Sequence, residues 1–142
     1  SNVKKIKLLK RGWKNLLKNP SIFFKKDKQS ISLHFDMHHG YNNLQKAINQ
    51  IQDKDKYEFQ NYVNQRDYFN PHIMFISKPY VAKEWFDTLF PWLERCEDIF
   101  GFDNLSGYDT TRIYAYLAER YLSYWFKKYT RYKELPWVLI NI

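Results

Sequence analysis

The sequence predicts an α+β fold, mostly helical with a few short strands. Two long segments, Val81 to Phe100 and Arg112 to Lys128, place apolar side chains three and four residues apart, the period of an amphipathic helix. Short runs at Ser30–Phe35 and His72–Ser77 read differently, the first alternating polar and apolar residues, the second apolar, as strands do. At 142 residues the chain suffices for one core and is short for two. A basic arm or linker, residues 1–28, therefore precedes one helical-rich domain, residues 29–142.

Composition narrows the class of protein. Phe, Trp and Tyr make up 20% of the chain, so the core is aromatic and carries hydroxyl and indole N–H groups that need partners. The same composition suits surfaces that stack on sugars. Cys96 is the lone cysteine, which excludes an intrachain disulfide and a cysteine zinc site and points to a reducing compartment. No apolar run reaches the roughly 18 residues of a membrane span. The basic start lacks the apolar stretch of a signal peptide. Beginning Ser1-Asn2, the chain reads as an excised segment of a longer protein.

The charge is concentrated in the arm. Residues 1–28 carry ten Lys and Arg against Asp27 alone, a net +9, and the other residues balance to −1. Ile6, Leu9, Trp13, Leu16 and Leu17 fall at helical spacing among lysines such as Lys10, predicting a basic amphipathic helix from Val3 to Lys18. Asn19-Pro20 stops it, and Phe23 and Phe24 follow in a second short turn. Such a segment either lies on an anionic membrane surface through Lys10, Trp13, Phe23 and Phe24, or docks on its own domain with its lysines in water. Each basic residue near an anionic surface contributes about 1 kcal/mol. The neutral remainder offers no surface for tracking a nucleic acid, so no nucleic-acid partner is expected.

In chain order, Ser30–Phe35 is the first expected strand, and Asp36-Met37-His38-His39-Gly40 is the loop that ends it. Two imidazoles and a carboxylate there suit a divalent metal, a general base or a substrate contact, although adjacent histidines do not usually ligate one ion and loop histidines without a role have the same pattern. Leu44, Ala47, Ile48 and Ile51 mark one helical face between Tyr41 and Gln52. Asp53-Lys54-Asp55 imitates the Asp-x-Asp element of nucleotide-sugar transferases, but Asp53 is expected to cap a helix from Lys54 to Tyr68. After the expected strand, Lys78-Pro79 opens the helix that presents Val81, Trp85, Phe86, Leu89, Phe90, Trp92 and Leu93, which Pro91 should kink or interrupt. Asp109 or Thr110 should cap the last helix, whose stripes are Ile113, Leu117, Tyr121 and Tyr124, and Tyr114, Ala118 and Trp125. Leu135–Ile142 closes as an edge-strand tail.

Several motifs in this order carry a resemblance: His72-Ile73-Met74-Phe75-Ile76-Ser77-Lys78, Trp85-Phe86-Asp87, Gly107-Tyr108-Asp109, and Arg112 to Arg120, with His38-His39 upstream. Together they resemble the C-terminal half of a bacterial glycosyltransferase-like family of unknown function, associated with capsular polysaccharide and lipopolysaccharide genes. Lys18 to Lys25 is similar to basic connectors beside transferase domains in capsule-assembly proteins. The resemblance covers roughly residues 33–128. It implies the C-terminal part of a GT-A-like nucleotide-sugar glycosyltransferase without its donor-binding half, inactive alone and cytoplasmic, peripheral at the inner membrane.

Joined to that half, the chain would act as a hexosyltransferase on a nucleotide-sugar donor and a glycan or lipid-linked acceptor. Inverting transfer needs a base on the acceptor hydroxyl, for which His38, His39 and Asp109 are the candidates. The departing diphosphate needs a divalent metal or basic groups. Arg112 and Arg120 are the phosphate candidates, with Asp36 and Glu119 as further substrate contacts. Each has a plainer reading: Asp109 as a helix cap, and Glu119 with Arg120 as a structural ion pair. No metal ligands are assigned within the chain. The competing function is a non-catalytic helical module that tethers or assembles a capsule-synthesis complex.

Overall fold

The structure, a computed structural model, describes residues 30–136 together with Trp13 and Leu17. The predicted roles of Lys10, Phe23 and Phe24, and the tail beyond Pro136, lie outside the described residues. From Ser30 onward the chain is largely helical: α1 (Ile31–His39), α2 (Asn43–Ile48), α3 (Asp53–Gln65), α4 (Pro79–Phe100), the single turn α5 (Tyr108–Thr111) and α6 (Ile113–Tyr129). Among the described residues no strand occurs, which corrects the α+β expectation to a helical fold.

The two expected strands that lie wholly within the described residues fail for identifiable reasons. Ser30 is an N-cap whose Oγ accepts the Leu33 N–H at 3.2 Å, and Ile31, Phe35 and His39, four residues apart, are all buried. A run of six residues fits either period, and the cap decides for helix. The segment 72–77 finds no neighbouring strand among the described residues. It crosses the surface with Ile76 98% exposed, while Phe75 packs against Phe86 and Phe126 at ring distances of 6.3 and 5.0 Å.

Helix α6 is central, packing against α3, α4 and the start of the domain in α1. Its predicted stripe of Ile113, Leu117, Tyr121 and Tyr124 is buried, as are Ala118 and Trp125 beside it. Around Tyr121 the rings of Trp92, Phe59 and Trp85 close in at 4.9, 5.1 and 5.8 Å, forming the aromatic core expected from composition. Trp92 Nε1 donates to the Ala47 carbonyl at 2.7 Å and Arg95 Nε to that of Gln50 at 2.8 Å, fastening α4 to the end of α2.

Helix boundaries shift where capping was misjudged. Gln52 is the N-cap of α3, so Asp53 is its first helical residue rather than its cap. Helix α4 continues through Pro91 to Phe100; Pro91 and Asp87, whose carbonyl loses its N–H partner there, are both exposed, so water can serve. Phe86 and Phe90 face outward on that helix, stacked on each other at 5.3 Å. Asp109 is the N-cap of neither helix: it sits within α5, whose N-cap is Gly107, and α6 starts after its N-cap Arg112. No helix among the described residues is long and apolar enough to cross a membrane.

Candidate functional site

The C-terminal turns of α1 meet the first half of α6 at a cluster of three imidazoles and one guanidinium. His34, His38 and His39 share this end of α1, with His34 and His38 one turn apart and their rings 4.5 Å from each other. The turn that follows fixes His39. Gly40 adopts φ 103°, where an added Cβ would strike the Asn43 side chain, and Asn43 Nδ2 donates to the His39 carbonyl at 3.0 Å. Asp36 works in the same turn, its Oδ1 accepting the Asn42 N–H at 3.1 Å. Its described role is to hold the backbone behind the histidines.

His39, 5% exposed, is held on every side. Its ring stacks on Tyr116 at 3.9 Å and meets the edge of Phe35 at 4.8 Å. Nδ1 lies 3.0 Å from the Asp109 carbonyl, which can only accept, so Nδ1 carries the proton. Nε2 then offers a lone pair to Arg120 Nη2 at 3.4 Å. Burial, opposed by the Asp109 carbonyl and reinforced by the Arg120 charge, lowers the His39 pKa to about 4. His34 Nδ1 also lies 3.4 Å from Arg120 Nη2, and burial, then His38 and Arg120, lower its pKa to about 4. Both rings are neutral at physiological pH.

Arg120 is the charge at the centre, 2% exposed. Nη1 pairs with Glu119 Oε2 at 2.8 Å and reaches the Tyr116 carbonyl at 3.3 Å. The guanidinium lies over Phe69 at 4.1 Å and over Phe35 at 5.4 Å, cation–π contacts that offset part of its lost hydration. Burial lowers its pKa to about 10, opposed by Glu119, so it remains cationic at neutral pH. Among the described residues its Nε has no hydrogen-bond partner.

The structure therefore gathers most of the predicted site residues. His38, half-buried, lies at the rim; Asp109 closes one side through its backbone, and its carboxylate favours protonated His39. Glu119 pairs with Arg120 within α6, rather than across two helices. Exposed Arg112 lies over Tyr108 and Tyr116 at 5.2 and 5.9 Å and donates to the Tyr108 hydroxyl, so it borders the cluster through Tyr116. His34, Tyr116 and Phe69 were missed by sequence reasoning. The i, i+4 spacing of His34 and His38 would have found the first had the segment been read as a helix. No group of three or more His, Cys, Asp or Glu side chains that could hold a metal ion occurs among the described residues.

A second polar cluster, also missed, surrounds Asp55. This carboxylate, 1% exposed, accepts from Tyr129 at 2.5 Å, Lys128 at 2.9 Å, and Tyr121 and Tyr124 at 3.3 Å. Lys128 also pairs with Glu58 at 2.8 Å. Burial pushes the Asp55 pKa up, but the bonds from Tyr129 and Lys128 outweigh it and hold the pKa below the usual value. The signal was the spacing of Tyr121, Tyr124 and Lys128 on one face of α6.

Among the described residues this geometry defines a helical domain with one saturated and one unsaturated buried charge. The profile of a family described as a domain of unknown function, DUF4422, matches residues 2–131, so the chain belongs to that family. No curated protein and no solved structure matches the chain.

Proposed function

We propose that this domain is the acceptor-side part of a GT-A-like glycosyltransferase of bacterial cell-surface polysaccharide, capsule or lipopolysaccharide, acting with a donor-binding half. The supporting observation is the pairing of neutral imidazoles with a buried, incompletely partnered guanidinium at the junction of α1 and α6. Glycosyl transfer with inversion needs both functions: a base to take the acceptor proton and a cation to receive charge developing on the leaving diphosphate. His39 has both ring nitrogens engaged and is buried, so it positions Arg120. His38, at the rim, is the base. Arg120, with Arg112 at the edge, supplies positive charge, and Glu119 orients the guanidinium.

A peripheral place at the inner membrane accompanies this reading. Trp13 and Leu17, one turn apart and helical, are 52% and 73% exposed, and exposed apolar side chains on a basic arm suit an anionic lipid surface. The same observation favours the tethering module as the second reading.

The test is transfer from nucleotide-sugar donors by the protein joined to its donor-binding half. His38→Ala should lower the rate by about 100-fold or more while the denaturation midpoint stays unchanged. Wild-type rates in both His38→Ala and Asp109→Ala would sink the catalytic reading and leave the tether.

A further inference from the structure

One turn of α6 beyond Arg120, at Ser123, the surface opens into a cleft of about 90 Å³. Asn70 organises it. Its backbone N–H donates to Ser123 Oγ at 2.8 Å, its Nδ2 donates to Glu134 Oε1 at 3.2 Å, and its Oδ1 accepts from the Tyr68 hydroxyl at 2.5 Å. These bonds join the 66–78 connection, α6 and the segment after it, so the polar groups are fixed before any ligand arrives. Tyr62 and Tyr132 add two further rings to the lining. Burial raises the Tyr62 pKa, keeping its hydroxyl protonated and able to donate.

Size and charge select the ligand. At about 15 Å³ for each water position, 90 Å³ holds roughly six waters, the scale of one sugar ring and too little for a nucleotide. Arg66 and Lys127 are balanced by Asp67 and Glu134, so the lining has no excess positive charge to hold a phosphate. It offers paired donors and acceptors with aromatic faces, the combination that hydroxyl-rich rings with apolar C–H faces require.

We propose that this cleft is a saccharide subsite that takes one neutral pyranose unit, its hydroxyls bound by Asn70, Glu134 and Arg66 and its ring against Tyr68 or Tyr132. Phe69, between Tyr68 and Asn70 in the chain, lies under the Arg120 guanidinium at 4.1 Å and 6.0 Å from the His34 ring. The subsite thus adjoins the histidine–arginine cluster. Its role as the acceptor site rests on the glycosyltransferase reading, whereas sugar binding itself does not.

Saturation-transfer NMR on the full chain tests it, with methyl glucoside, galactoside, mannoside and N-acetylglucosaminide as probes and inorganic phosphate as the anion probe. At least one glycoside should receive saturation. Tyr132→Ala and Glu134→Ala, both at exposed positions, should each weaken its binding about tenfold without moving the denaturation midpoint, while Tyr80→Ala on α4 leaves it unchanged. Silence from all four glycosides, equal binding by the wild type and both variants, or displacement of the glycoside by phosphate overturns the subsite. Glycoside binding alongside a catalytically normal His38→Ala would retain the subsite and remove the base. A His38-dependent transferase that binds no glycoside would do the reverse.

Discussion

Asp55 and Arg120 are both buried charges held against α6, and the fold satisfies them in opposite ways. Asp55 receives three tyrosine hydroxyls and a lysine, bonds that link α3 to α6. Arg120 has one short ion pair, a 3.3 Å bond to the Tyr116 carbonyl, two 3.4 Å approaches to neutral imidazoles and, among the described residues, an Nε without a partner. A saturated buried carboxylate specifies how two helices sit. An unsaturated guanidinium costs stability and retains capacity for another acceptor. The difference assigns structure to the Asp55 end of α6 and chemistry to the Arg120 end.

Acid should separate the two clusters by the largest margin. His34 and His39 have folded pKa values lowered from 6.5 to about 4, so the unfolded chain binds protons that the folded chain refuses between those values. Their contribution is complete above pH 6.5, falls as the pH drops towards 4, and levels off below. The loss for the pair is about 4 kcal/mol, mostly from His39, because half-buried His34 is partly screened. Asp55 has a folded pKa below 3.8, so its contribution persists throughout that window and is lost only at lower pH. Urea unfolding across pH should therefore show two separate declines. His39→Gln should flatten the upper one; an unaltered upper slope in that variant would remove the imidazoles from the account.

Asp55→Ala is the next largest perturbation. It removes the shared acceptor of Tyr121, Tyr124, Lys128 and Tyr129 while Lys128, 26% exposed, keeps Glu58. The expected cost is about 3 kcal/mol in urea denaturation, at the lower end for a broken buried pair because Lys128 can rehydrate. A cost under about 1 kcal/mol would mean that the tyrosine hydroxyls find other partners, and the contrast with Arg120 would fail.

What could be read from the chain follows the range of the interactions. The stripes of α6 and the buried face of α2 were legible because a helical face is written at intervals of three and four residues. Ser30–Phe35 misled because six residues fit two periods and the deciding bond, Ser30 to Leu33, is a cap. His38, His39, Asp109, Glu119 and Arg120 were legible as chemistry, but their meeting was not: Asp109 contacts His39 across 70 residues and Arg120 contacts it across 81. Asp55 was overlooked for the same reason, its tyrosine and lysine partners lying 66 to 74 residues away. Asp53, its neighbour in the chain, looked the better candidate only because capping is local.

Arg120→Met should have the smallest effect on the fold. Methionine fills most of the volume between Phe35, Phe69 and Tyr116, removes the unpartnered Nε, and leaves Glu119 with a side chain 16% exposed that can turn towards water. Breaking a buried pair at one partner usually costs about 3–5 kcal/mol, but here the change also removes the unpartnered Nε and Glu119 can rehydrate, so the denaturation midpoint should correspond to a loss under about 2 kcal/mol. Loss of the cation also relieves His34 and His39 of a repulsive charge, so both pKa values should rise, and the acid decline should still begin near pH 6.5 but level off at a higher pH and be smaller in total. NMR titration of the imidazole protons in the two proteins checks that shift directly. A loss comparable to that of Asp55→Ala, with unmoved histidine titrations, would make Arg120 a structural charge like Asp55 and leave α6 with no reserved end.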